Sequence, residues 1–223
     1  MSISIRILYI VFILFVSFSV FAKDIFLQGK FSVGFFPLSP PNESSDSMSE
    51  KELATLLLEE ARWVYSGMVF GFSFSYVPYD KTRKIEEVFS LEPIAEIKWG
   101  DPFLSVMQTW TEDKVFYAMI SYTVPERFLH WYEHWQSANL EVASGIGTAP
   151  AFEGYAARKK AVEEAVKQAV REHERARVFN KPRLISGTVA LRSVPVIRFY
   201  GDRYRAQVDV VLEIKSVKEY RFD

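Results

Sequence analysis

Small residues on one predicted helix constrain this chain more than any other feature. Ala157, Ala161, Ala165 and Ala169 recur every fourth residue beside Val162, Val166 and Val170, so one face is nearly flat and can approach a sheet or another helix closely. The pattern predicts a helix over about 152–179, which at 1.5 Å per residue would reach about 40 Å. After it, 184–200 reads as a strand interrupted by Pro195 and so placed at an edge or bulged. From 204 to 214 the alternation is nearly strict: Tyr204, Ala206, Val208, Val210, Leu212 and Ile214 inward, Arg205, Gln207, Asp209 and Glu213 outward, with Val211 the exception. Gly201-Asp202 makes the turn between them, so a long helix followed by a β-hairpin closes the chain.

The earlier residues predict more of the same class. Residues 24–36 alternate as a strand or short hairpin, and 37–47 are rich in Pro and Ser, as a loop is. Ser49 followed by Glu52 forms a capping box, opening a helix in which Leu53, Leu56, Leu57 and Val64 keep the helical period and Glu60 interrupts it; Ser66-Gly67 would end it. Met68, Phe70, Phe72, Phe74 and Tyr76 share one face of a strand whose opposite face is small enough for a helix to pack on. A short helix capped by Asp80, strands at 94–99 and 103–110, a central strand at 114–124 and a helix from Pro125 to about 136 complete this half. Residues 139–150, with Ala143-Ser144-Gly145-Ile146-Gly147, read as a flexible or closely packed connection. The expected fold is α+β, helices on mostly antiparallel sheet. Ser66-Gly67-Met68-Val69 and Ser186-Gly187-Thr188-Val189 hint at two tandem α+β units, with modules at 23–138 and 139–223.

Residues 1–22 read as a signal peptide. Arg6 supplies a short positive region, Ile7 to Phe21 an almost unbroken apolar run, and Val20-Phe21-Ala22 a cleavage site after Ala22. The run of 15 is short of the roughly 20 residues a spanning helix needs; membrane attachment would come only through this segment, if it stayed uncleaved. The expected location is a bacterial periplasm. The chain has no cysteine, which excludes disulfides and a lipid-modified export signal and leaves stability to a packed core. Past residue 22 the chain holds 26 basic and 28 acidic residues, a balance that suggests no nucleic-acid partner. Its halves differ: 10 basic and 18 acidic over 23–149, 16 and 10 over 150–223.

One catalytic pattern is present. His130-Trp131-Tyr132-Glu133-His134 spells H-x-x-E-H, whose histidines could hold a zinc ion beside a glutamate that activates water. Phe128, Trp131, Tyr132 and Trp135 form an apolar stripe opposite His130, Glu133 and His134, as on any helix with one solvated face. Trp131, Tyr132 and Trp135 are candidates for contacting a partner, since aromatic side chains supply much contact energy. His173 lies on the inward stripe of the long helix as a hydrogen-bonded, partly buried group. No phosphate-binding loop, serine-nucleophile elbow or dinucleotide fingerprint occurs, and no cofactor is implied.

From Ala143-Ser144-Gly145-Ile146-Gly147 through the alanine helix to Tyr204-Arg205-Ala206-Gln207-Val208-Asp209-Val210, the chain resembles the lipoprotein-20 type envelope domain shared with flagellar outer-membrane-associated proteins of the P and T kind. The resemblance covers about 141–216 and is architectural, so no functional residue carries over. It implies a small α+β domain with a structural or assembly role at the envelope. The leading expectation is therefore an exported, non-enzymatic envelope interaction or assembly protein with an envelope protein partner. The alternatives are a zinc-dependent hydrolase and a periplasmic carrier of an apolar ligand.

Overall fold

In the computed structural model, residues 25–34, 48–175, 177 and 180–220 are described; the expected signal segment, the loop at 37–47 and the junction at 178–179 lie outside them. Among the described residues, every strand pairs antiparallel, in two sheets. Strand β1 (Ile25–Gly34) lies beside β5 (Val115–Val124), which lies beside β4 (Leu104–Glu112). The larger sheet runs β3 (Val88–Pro93), β2 (Phe72–Val77), β7 (Leu184–Leu191), β9 (Arg203–Lys218), β6 (Glu141–Pro150), and β8 (Val196–Tyr200) also pairs with β9. The chain is α+β, with a long helix followed by a β-hairpin near its C-terminus. The larger sheet and the core both draw on residues from either side of position 139.

Helix α1 (Glu50–Val69) starts at the expected capping box: Glu52 N–H donates to Ser49 Oγ (3.3 Å) and Ser49 N–H to Glu52 Oε2 (2.8 Å). It packs on β1 and β5 on one side and on β7 on the other. Tyr65 shows why its far end is buried all round: its hydroxyl donates to Ile120 O at 2.6 Å and its ring meets Phe31 edge-on and stacks on Tyr122. Glu60, the polar interruption, is where α1 meets the second long helix, α3 (Ala156–Arg175). Arg158 donates to it twice (2.8 and 3.0 Å) and Tyr155 Oη once (2.5 Å). Both partners of this pair are about nine-tenths buried. Burial, then the charge of Glu60, pushes the Tyr155 hydroxyl well above its ordinary range, and Glu60 outweighs burial to keep Arg158 firmly charged.

The alanine face of α3 lies on β6 with main chain nearly touching main chain. A Cβ on Gly145 would sit 2.0 Å from Ala165 O, and one on Gly147 2.2 Å from Ala165 N and 2.4 Å from Ala161 O. Glycines on the strand and alanines on the helix are two halves of one device: neither surface can carry more atoms at this separation.

Several boundaries differ from the sequence reading. Residues 139–150, read as a connection, contain the ten-residue strand β6, which pairs with β9 and whose glycines admit the close approach of α3. Met68 and Val69 belong to α1; Phe70 caps it, Gly71 turns the chain at φ +76°, and only Phe72, Phe74 and Tyr76 of the expected stripe form a strand face. Helices cover that aromatic face, while Ser73 on the small-residue face is exposed. Asp80 caps a turn, accepting from Arg83 N–H at 3.1 Å, and no helix follows. The strand expected at 94–99 lies earlier, at β3. The 184–200 strand is two strands, broken where Pro195 cannot donate. Helix α3 is shorter than expected, 20 residues or about 30 Å. Ser66-Gly67 lies in a helix and Ser186-Gly187 in a strand, so the matched tetrapeptides are not structural equivalents.

Candidate functional site

Helix α2 (Glu126–Trp135) carries every candidate of the H-x-x-E-H segment, and its faces divide as the sequence implies. Phe128 and Trp131 meet Phe70 edge-on (4.8 and 6.1 Å between centroids). Trp135 is buried against Ala190 and Val211 on the outer face of the larger sheet, and this contact explains why Val211 departs from alternation. Trp131 and Tyr132 are half-buried. His130, Glu133 and His134 are exposed, with His134 Nε2 3.9 Å from Glu213 Oε2. Among the described residues no three His, Asp or Glu side chains converge as a metal site requires. His173 is mostly buried at the end of α3, 2.5 Å from Glu141 Oε2, and Arg177 pairs with the same carboxylate. Burial would raise the Glu141 pKa, but the Arg177 and His173 hydrogen bonds outweigh it and hold it below the ordinary range.

The least finished part of the fold is β4. It is an edge strand of the smaller sheet, and α1 makes its main contacts with that sheet on β1 and β5. Its positions opposite the buried Ile120 and Ala118 are Val106 and Thr109, and both are exposed. A bulge between Val106 and Gln108 turns Met107 outward; Val106 is 41% and Met107 57% exposed. On the other face Trp110 stacks on Tyr117 (5.2 Å, 9° between planes), with Lys30 Nζ 5.4 Å above the Tyr117 ring. Just before the strand, Trp99 and Phe103 are also exposed. Among the described residues no strand pairs with the outer edge of β4, and side chains on both of its faces are exposed.

Natural sheets guard such edges with charge, above all lysine. Between Leu104 and Thr111, β4 has no charged residue; Glu112 stands at its end, before the left-handed turn of Asp113 and Lys114. Among the described residues the bulge is the feature that protects it. Apolar side chains on both faces of an unguarded edge suit a strand or loop from another molecule, which would gain main-chain hydrogen bonds and side-chain pockets together. The sequence predicts a strand at 103–110 but not its openness; the available signal was apolar residues on both faces of a segment almost without charge.

A recess of about 620 Å³ opens at the end of β2 and α3 between Tyr76, Tyr79, Arg171, Glu174, Lys181 and Ile185. Its wall is aromatic and charged together, a poor match for a wholly apolar ligand.

No solved structure matches the chain. An uncharacterized protein of Treponema pallidum (strain Nichols) is 26% identical over 170 residues, covering 74% of this chain and 69% of that protein. A protein-family model matches residues 19–220, a span that takes in all of the described residues, and the chain belongs to that family.

Proposed function

We propose that this is an exported bacterial cell-envelope protein that works by holding a protein partner rather than by catalysis, with the β4 edge as its contact. The observation that carries the reading is the uncovered strand: Val106 and Met107 exposed, Trp110 presented at the sheet margin, and an edge without charged residues from Leu104 to Thr111. Placement in the periplasm is supported by the apolar run at 7–21 and the Val20-Phe21-Ala22 site. No helix among the described residues is long and apolar enough to cross a membrane. The resemblance of 141–216 to the lipoprotein-20 type domain supports an assembly role near a flagellar or outer-membrane structure.

The test is a photo-crosslinking amino acid placed at Met107 in cells that export the protein, with one at Glu172, exposed on α3, as control. The expected result is a discrete crosslinked species from Met107, absent from Glu172 and abolished by Val106→Lys in the same chain. Equal labelling at both positions, or none at Met107, would refute the proposal. Stoichiometric zinc in the purified protein, lost on His130→Ala, would instead favour the hydrolase alternative.

A further inference from the structure

The end of the β8–β9 hairpin gathers exposed aromatic rings among cations, away from β4. Tyr200 is 76%, Phe199 54% and Phe152 59% exposed. Register places Phe199 opposite Tyr204 and Tyr200 opposite Arg203, on either side of the left-handed Gly201 turn (φ +65°). Ala151 N–H donates to Asp202 O at 2.8 Å, so Phe152 belongs to the same end of the sheet, where Pro150 of β6 lies opposite Arg203. Among the described residues nothing folds over these rings, although a core with a ready apolar neighbour in Tyr204 (5.7 Å from Phe199) lies directly behind them.

Positive charges outnumber negative ones beside them. Arg198 and Arg205 are direct cross-strand partners on one exposed face, an arrangement that repels unless something anionic lies over it. Arg203 stands next to them, its Nε 3.3 Å from Thr148 Oγ1. Opposing these three arginines is Asp202; Glu153, the other acid nearby, is paired with Lys160 at 2.6 Å. Aromatic rings at a tip, backed by arginines that can reach upward, is the composition that settles at the headgroup level of a bilayer: rings at the interface, guanidinium groups on lipid phosphates.

We infer that the β8–β9 tip docks on an anionic lipid surface, with Tyr200, Phe199 and Phe152 entering the interface and Arg198, Arg203 and Arg205 contacting headgroup phosphates. A tip of this size binds weakly and reversibly, in the manner of a single membrane signal, and orients the molecule relative to a membrane instead of anchoring it.

The absence of cysteine makes the test direct. Tyr200→Cys can carry the only thiol, labelled with a polarity-sensitive fluorophore, and Glu172→Cys serves as control. The protein is mixed with vesicles of phosphatidylcholine alone or with about one-third phosphatidylglycerol. The expected result is a blue-shifted emission, several-fold brighter, at position 200 with the anionic vesicles only, weakened by salt and reduced about tenfold in apparent affinity by Arg198→Glu with Arg205→Glu. Position 172 stays in water throughout. A position-200 label that keeps its aqueous spectrum on anionic vesicles overturns the inference, as does a response unaffected by the two charge reversals or equal on neutral vesicles. Binding of the chain through its N-terminal apolar run would leave position 200 in water and so counts against it too.

Discussion

Replacing Gly145 by alanine adds one methyl group where, among the described glycines, a Cβ would meet its neighbours most closely. The new Cβ would lie 2.0 Å from Ala165 O, 2.7 Å from Ala169 N and 3.0 Å from Ala169 Cβ. Two of these atoms are main chain of α3 and cannot rotate away. Ordinary contact begins near 3.4 Å, so the helix must retreat by more than about 1 Å or the strand must buckle, and either loosens the buried row Ala161, Val162, Ala165, Val166 and Ala169. Overpacking a rigid core costs about 1–3 kcal/mol; with backbone on both sides we expect the upper end, about 3 kcal/mol. With a urea m-value of about 2 kcal/mol/M, the unfolding midpoint should fall by about 1.5 M. Gly34→Ala, with nothing within 4 Å of its Cβ, is the matched control and should shift the midpoint by less than about 0.3 M. Similar shifts for the two variants would refute the argument that Gly145 exists for close approach.

Arg158→Met strands the Glu60 carboxylate beneath two helices and should cost about 3–5 kcal/mol, while the double replacement Arg158→Met with Glu60→Met recovers much of it; a double-mutant cycle by urea unfolding checks the coupling, and additive losses would contradict it. Trp135→Ala removes the ring over Ala190 and Val211 and should cost about 3–5 kcal/mol; the same unfolding assay, with crosslinking from Met107 unchanged wherever the variant remains folded, separates packing from partner contact. Burial would raise the Glu87 pKa, but hydrogen bonds from Lys167 and Tyr76, both 2.8 Å, outweigh it and hold it below its ordinary 4.5. A lowered folded pKa means stability that is present above the unfolded value and lost as pH falls through the folded one, so Glu87→Gln should flatten the decline in midpoint between about pH 5 and pH 3. Equal acid sensitivity in wild type and Glu87→Gln would show that this carboxylate is not one of the groups responsible.

How far the sequence could be read follows from where its signals are local. The Ser49–Glu52 cap, the alternation of β9 and the central place of β5 rest on neighbouring residues, and each stands in the structure. The Gly145-x-Gly147 segment looked like a connection because its reason, the backbone of α3 against it, lies some twenty residues further on. The end of α1 was misplaced for a similar cause: Met68 and Val69 continue an alternating apolar run, and only packing between two sheets shows that they finish a helix. Pro195 marked a break but could not show that the two pieces become separate strands. Of the candidate site, the aromatic stripe of α2 was legible as one face, and the structure turns part of it inward onto Phe70 and Val211. The openness of β4 has only an indirect sequence signal, apolar residues on both faces of a nearly uncharged segment, because whether a strand has a neighbour on its far side is a property of topology.

The most direct test of the β4 reading is amide hydrogen exchange across residues 104–112, in the free protein and in the complex captured through Met107. In the free protein the amides that do not face β5 should exchange within the mixing time, as on any uncovered edge. In the complex those same amides should become protected by at least about tenfold, with little change on α2. Protection confined to another surface, with β4 still exchanging freely, would contradict the claim that this strand is where the protein holds its partner.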